Sequence, residues 1–277
     1  MPEYKLMAFD LDGTLLHTDK SLSEETIKAL YYANEKGVEL VAATGRSYEG
    51  VSPQIRALPF TRYYITTNGA AVYDREEKSN VHEAMVPLED AVKLYDFGRR
   101  YDCIISSYIG DDAWIQQSDK DKIESYFTDK HMMNYICSIH RGVPDFREGI
   151  IKRGKPILKF SFYFRDLDLR SRMMNEILPA NFPQFVFTSS VGNNVECNYH
   201  TADKGTALTA LCSYLNIPVS SSVAFGDGLN DVAMLKAAGT GVVMGNAADN
   251  IKALGDVIAD TNDNDGVAKT IYSLLSE

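Results

Sequence analysis

Two aspartates one residue apart, Asp10 and Asp12, close the apolar run Leu6-Met7-Ala8-Phe9, and Gly13 and Thr14 follow at once. Such a run makes a buried parallel strand, and the glycine lets the chain turn sharply beyond it. Carboxylates placed there sit at the C-terminal end of a strand, where open α/β sheets put their chemistry. Asp227 and Asp231 follow a second short apolar run, Val223-Ala224-Phe225. Taken singly each acid is ordinary; Asp231 alone can cap a helix. Four carboxylates facing one crevice would repel one another unless a cation sat between them. Oxygen donors with no histidine or cysteine nearby select a hard ion, above all Mg²⁺, which keeps waters and phosphate oxygens in its shell.

Thr44, Lys204 and Asn230 are the complementary set. A hydroxyl beside exposed backbone amides, an ammonium and a carboxamide suit the oxygens of a phosphoryl group. Lys204 opens a helix, where the dipole end is already positive. That is a poor place for a cation unless an anion is bound.

Periodicity supplies the elements that position these residues. Ser21-Leu22-Ser23-Glu24 reads as a capping box, and Leu22, Thr26, Ala29, Leu30 and Ala33 give the following helix one apolar side, closed by Gly37. Residues 38–43 are the next strand, ending in Thr44-Gly45-Arg46-Ser47. Strand, helix and strand in so short a span form a βαβ unit with parallel strands, so Asp10 and Thr44 share one sheet edge. A weakly marked helix interrupted at Pro53 precedes a third strand, 63–66, the turn Thr67-Asn68-Gly69-Ala70, and a hairpin at 71–73 and 81–85. From 87 to 191 strands and helices lack acids at the strand ends, and 110–155 is poorly periodic. This reads as an inserted α+β module. Alternation resumes with a helix at 204–215. The expected fold is α/β: a doubly wound, mostly parallel sheet in a core of 1–86 and 192–277, with an α+β cap at 87–191.

Bulk properties exclude several functions. The 277 residues carry a net charge of −10 with no basic run, which argues against nucleic acid or an anionic membrane as partner. No stretch approaches the roughly 18 apolar residues of a membrane span. Met1-Pro2-Glu3-Tyr4-Lys5 shows no secretory signal, so a cytoplasmic location is expected. Cys103, Cys137, Cys197 and Cys212 lack CxxC spacing and read as reduced, packed thiols. The five histidines show no metal spacing. Tyr108, Trp114 and Tyr126 in the cap could meet a ring-bearing substrate, but core or surface packing explains them better. A monomer or small homo-oligomer is expected.

At this point a resemblance becomes specific. Asp10-Leu11-Asp12-Gly13-Thr14, Thr44-Gly45-Arg46, Lys204-Gly205 and Gly226-Asp227-Gly228-Leu229-Asn230-Asp231 resemble the four motifs of the haloacid dehalogenase superfamily. Asn68-Gly69-Ala70, Met244-Gly245-Asn246-Ala247 and Asn262-Asp263-Asn264-Asp265-Gly266-Val267-Ala268 resemble the finer signature of its Cof-like phosphatases. The likeness covers about 5–86 and 192–277 and hardly reaches the cap. It implies that Asp10 is a nucleophile forming an aspartyl-phosphate and Asp12 a general acid, then base. It implies Mg²⁺ held by Asp10, the Asp12 carbonyl and Asp227, with Asp231 closing the shell directly or through water. Thr44 and Lys204 would grip the phosphoryl group with backbone amides around Leu11, Gly45 and Asn230, and Arg46 would face substrate or form a surface ion pair. The implied activity is a phosphatase for a small phosphorylated metabolite: a sugar phosphate, pyridoxal phosphate or a flavin-related phosphate. Two alternatives stand beside it. One is a phosphomutase on the same core; the other is a non-catalytic phospholigand sensor, which would have no need of Asp12.

Overall fold

The run Leu6–Asp10 forms β1, buried along its whole length, and side-chain alternation divides it between two cores. Met7 and Phe9 pack with Ala29, Leu30 and Ala33 of the helix Glu24–Glu35 and with Val267 and Ile271 of the helix Gly266–Leu275. Leu6 and Ala8 pack with Ala207, Leu208 and Leu211 of the helix Lys204–Tyr214 and with Met234 and Leu235 of the helix Val232–Ala237. Each such large apolar side chain contributes about 1.5–3 kcal/mol by leaving water. A strand coated on both faces is what a continuous apolar run requires.

This computed structural model describes residues 4–110, 112–152, 155–189 and 191–276. The chain divides into two units, Met1–His82 with Ala202–Glu277, and Glu83–Thr201. In the first, β2 (Glu39–Ala43), β3 (Tyr63–Thr66), β4 (Ala71–Asp74) and β5 (Ser79–Glu83) lie to one side of β1. On the other side lie β12 (Ser222–Gly226), β13 (Thr240–Val243) and β14 (Val257–Ile258). β14, β13, β12, β1, β2 and β3 are parallel, and β4 runs antiparallel to β3. The chain leaves β1 for β2 on one flank and returns to β12 on the other, so β1 borders the switch point where such sheets bind ligands.

The second unit is a six-stranded sheet of β6 (Cys103–Ile109), β7 (Asp112–Gln116), β8 (His140–Val143), β9 (Ile157–Phe164), β10 (Phe185–Thr188) and β11 (Asn194–Tyr199). Phe160, Phe162 and Phe164 of β9 fill one face, with Leu94 and Tyr95 from the helix Leu88–Gly98. Trp114 also packs there, and Tyr108 and Tyr126 are buried elsewhere in this unit. Residues 192–201, read as core from sequence, carry β11, which is bonded between β9 and β10.

Three local readings need correction. The cap of the first helix is Ser23, whose Oγ accepts from the Thr26 N–H at 3.0 Å, while Ser21 bonds Asp19. Pro53 starts a one-turn helix, Pro53–Arg56, rather than interrupting one, because a first-turn proline has no N–H to lose. The poorly periodic stretch 110–155 contains β7, β8 and the helices Lys130–Ile139 and Phe146–Lys152; Asp111, Arg153 and Gly154 within it lie outside the described residues. No helix among the described residues is long and apolar enough to cross a membrane.

His140 makes this second unit acid-sensitive. It is fully buried, its Nδ1–H donates to the Ile136 carbonyl at 2.8 Å, and burial pushes its pKa down to about 4. An unfolded histidine titrates near 6.5, so its contribution is intact above that pH and is lost as pH falls toward 4. The expected loss is about 3 kcal/mol. Urea melts followed by the single tryptophan, Trp114, should show it at pH 4.5 against 7.5, and His140→Phe should flatten the difference. Equal slopes for both proteins would discard the assignment.

Candidate active site

The C-terminal ends of β1, β2 and β12 lie side by side, because β1 pairs in parallel register with both neighbours. Asp10 ends β1, Thr44 follows β2, and Asp227 follows β12. The helix that starts at Lys204 brings its ammonium to the same edge. Lys204 Nζ, wholly buried, donates to Asp10 Oδ1 at 2.5 Å and to Asp231 Oδ1 at 2.6 Å. The other Asp231 oxygen accepts the N–H groups of Asp227 at 3.1 Å and Gly228 at 2.9 Å, so this acid also shapes the loop. Asp227 Oδ1 accepts from the Thr14 hydroxyl at 2.8 Å. Gly13, at φ +89°, passes so near Asp227 that a Cβ would stand 2.5 Å from Oδ2. Only glycine meets both demands.

Asp12 has a separate environment. Arg46 grips it through Nε at 3.1 Å and Nη2 at 2.8 Å, and Lys20 Nζ lies at 3.0 Å. Burial opposes its charge, yet Arg46 and Lys20 hold its carboxyl below the usual carboxylate range. Arg46 thus pairs with a candidate site residue instead of a surface acid. The Thr44 hydroxyl accepts from the Arg46 N–H at 3.2 Å, and Leu11 and Thr44 are buried. Asn230 is half-buried beside Gly228, and Gly45 lies against Asn68.

Burial, with Asp231 beside it, pushes Asp10 up to about 8 against the opposing pull of Lys204. Burial also raises Asp227. Burial disfavours the Lys204 ammonium too, but Asp10 and Asp231 hold its pKa well above that of an ordinary lysine. A charge imbalance adds to the effect of burial. Three carboxylates, Asp10, Asp227 and Asp231, place oxygens within 4.8 Å of one another around a single ammonium. Two negative charges are left over when all are ionised. A divalent cation restores the balance, and an all-oxygen donor set suits a hard one. The residues present therefore fit a metal ion. The Asp12 carboxylate lies outside this group, already neutralised by its own cations.

Several supporting residues escaped the sequence reading. Lys20 sits at φ +69° in a loop without periodicity, and nothing local marks it as a partner of Asp12. That loop is fastened from afar. Asn246 Nδ2 donates to the Gly13 carbonyl at 2.8 Å, Asn262 Nδ2 to that of Leu16 at 3.0 Å, and Thr18 Oγ1 to Asp263 at 2.7 Å. The late Asn-rich motifs are thus braces for the turn after Asp12.

The family model for haloacid dehalogenase-like hydrolases matches residues 7–271. A 5-amino-6-(5-phospho-D-ribitylamino)uracil phosphatase, YcsE, of Bacillus subtilis is 32% identical over 97% of this chain and 95% of its own length. The pyridoxal phosphate phosphatase YbhA of Escherichia coli is 28% identical, covering 98% of both chains. A haloacid dehalogenase-like hydrolase of B. subtilis with a solved structure superposes with TM-score 0.82 at 29% identity, over 98% of this chain and 100% of that one. The chain belongs to the haloacid dehalogenase-like hydrolases, in the Cof-type branch. It is a hydrolase, and its named relatives are phosphatases.

Proposed function

We propose that this protein is a Mg²⁺-dependent phosphomonoesterase for a small phosphorylated metabolite. The observation that carries the reading is the separation of two acid environments. Asp10 shares an electron-rich, buried cluster with Asp227, Asp231 and Lys204, while Asp12 stands apart under Arg46 and Lys20. Two such surroundings suit two separate roles, and in this reading each acid changes protonation to act. Asp10 loses its proton to the cation that joins its cluster, and Asp12 takes one up against the pull of Arg46 and Lys20. The names of its relatives, a flavin-precursor phosphatase and a pyridoxal phosphate phosphatase, support the substrate class.

In this reading an Asp10 carboxylate oxygen attacks phosphorus, and the bond from phosphorus to the ester oxygen breaks. Asp12, having first taken up a proton from solvent against the pull of Arg46 and Lys20, gives it to the leaving alkoxide. Asp12, now a carboxylate, takes a proton from water. The water oxygen attacks the aspartyl-phosphate, orthophosphate leaves, and Asp10 is restored. Lys204, the Thr44 hydroxyl and the backbone around Leu11, Gly45 and Asn230 hold the phosphoryl oxygens. Asp10, the Asp12 carbonyl and Asp227 would hold Mg²⁺, with Asp231 behind them. When bound, Mg²⁺ supplies the positive charge that lets a carboxylate approach an anionic phosphate. Choice of the leaving alcohol is assigned to the second unit.

A panel of phosphorylated metabolites with Mg²⁺, scored by phosphate release, tests the reading. An isomeric sugar phosphate without free phosphate would replace it with a mutase; silence across the panel and on para-nitrophenyl phosphate would end it.

Metal addition has a defined pH signature. Without metal, Asp10 keeps a proton up to about pH 8, so it is expected to weaken the fold as pH climbs from 3.8 toward 8. Mg²⁺ must displace that proton, so its apparent affinity should rise with pH and level off above 8. Melting temperatures with and without Mg²⁺ at pH 6 and 8.5 check this. A larger Mg²⁺ shift at the lower pH contradicts it.

A further inference from the structure

Three successive residues after β3 hold left-handed backbone: Thr67 at φ 55°, Asn68 at φ 59° and Gly69 at φ 94°. Asparagine and glycine accept this conformation readily, but a β-branched threonine is an outlier there. Strain of that kind persists only where the surroundings over-determine it. The surroundings here are the two halves of the phosphate grip. The Thr67 N–H donates to the Arg46 carbonyl at 2.9 Å, and the Asn68 N–H to the Thr44 carbonyl at 3.1 Å. The Asn68 carboxamide lies over Gly45, where a Cβ would come within 2.7 Å of Asn68 Oδ1. On the far side Gly69 is pressed against the Asp203–Lys204 peptide, leaving no room for a Cβ. Asp203 in turn caps the helix that Lys204 opens, accepting the Gly205 and Thr206 N–H groups, both at 2.8 Å.

Thr67–Gly69 therefore touches the Thr44–Arg46 loop with one face and the backbone of Lys204 with the other. We infer that this turn is a strut setting the spacing between the Thr44 loop and Lys204, with Asn68 and Gly69 as positioning residues for phosphoryl transfer. The inference rests on the phosphatase reading above, because only a ligand bridging Thr44 and Lys204 makes their spacing matter. Two groups far apart in sequence must meet one tetrahedral anion, and interposed backbone is stiffer than a side-chain contact. A Cβ at Gly69 displaces Lys204. Removing the Asn68 carboxamide loosens Gly45 while keeping a residue that tolerates positive φ.

The test compares Gly69→Ala and Asn68→Gly with Gly37→Ala. Gly37 has φ +80° and nothing within 4 Å of a Cβ, so its replacement brings backbone strain alone. With para-nitrophenyl phosphate and Mg²⁺, Gly69→Ala should lower kcat by about a hundredfold and Asn68→Gly by about tenfold, with KM moved much less. Gly37→Ala should melt earlier yet keep its kcat. Should Gly69→Ala fail to fold, Asn68→Gly carries the comparison. Strut variants with the kcat of Gly37→Ala would overturn the inference. Calorimetric binding of inorganic phosphate with Mg²⁺ separates the two readings. A wild-type protein that binds phosphate without turnover, and binds it at least about tenfold more weakly in both strut variants, would refute the phosphatase and retain the strut. Where the wild type binds phosphate without turnover, unchanged affinity in both strut variants would refute the strut too, and a wild-type protein that neither turns over substrate nor binds phosphate would refute both.

Discussion

Replacing Asp10 by asparagine is expected to lower phosphate release by at least about 10⁴-fold, the scale of losing a nucleophile. The change is nearly isosteric and leaves Lys204 bonded to Asp231 at 2.6 Å. It also deletes the carboxylate that burial and Asp231 penalise most, whose pKa stands at about 8. The metal-free variant should therefore melt no lower than wild type at pH 8, and even higher. Phosphate release and a thermal melt on one preparation decide the matter. Turnover within tenfold of wild type would exclude Asp10 as nucleophile, and a large drop in melting temperature would show that its charge is needed for folding.

Lys204→Met carries the second large effect, and it acts on activity and stability together. The methionine keeps an unbranched chain of similar volume, so packing changes little. What disappears is the ammonium between Asp10 and Asp231, at 2.5 and 2.6 Å, in a wholly buried position. Breaking a buried ion pair from one side costs about 3–5 kcal/mol, because the remaining charges have no counter-ion. The cost should be greatest in metal-free protein at pH 8.5, where Asp10 is ionised, and smaller at pH 5, where it takes up a proton. Mg²⁺ should return part of the stability but not the rate, with kcat down about 10³-fold from losing a charged contact to the phosphoryl group. Urea melts at the two pH values, with and without Mg²⁺, resolve the terms. Equal destabilisation at both pH values would contradict the charge account.

These two residues also mark how far the chain could be read without coordinates. Asp10, Thr44 and Asp227 were placed correctly at one edge because strand ends are announced locally, by apolar runs that stop at acids, hydroxyls and glycines. The right-handed βαβ rule then aligns the strands. Lys204 was legible for another reason: a lysine at a helix start is electrostatically costly, and the cost asks for an anion. The Ser23 cap and the first-turn role of Pro53 differ from the reading of the sequence, which assigns no element to the strand Asn194–Tyr199. For Ser23 and Pro53 the local pattern allowed two solutions, whereas β11 takes its place by pairing with β9 and β10.

The sequence alone determined which chemical groups stand at the sheet edge, since strand order and loop position follow from hydrophobic period and chain handedness. It also pointed to the fold class and the family. Only the tertiary structure decided which charge meets which. Arg46 belongs to Asp12, Lys204 lies between Asp10 and Asp231, and the turn after Asp12 is held by Asn246, Asn262 and Asp263. Those pairings depend on separations of a few ångströms between residues remote in the chain. Coulomb and hydrogen-bond energies fall off steeply over that distance, and no local period encodes it.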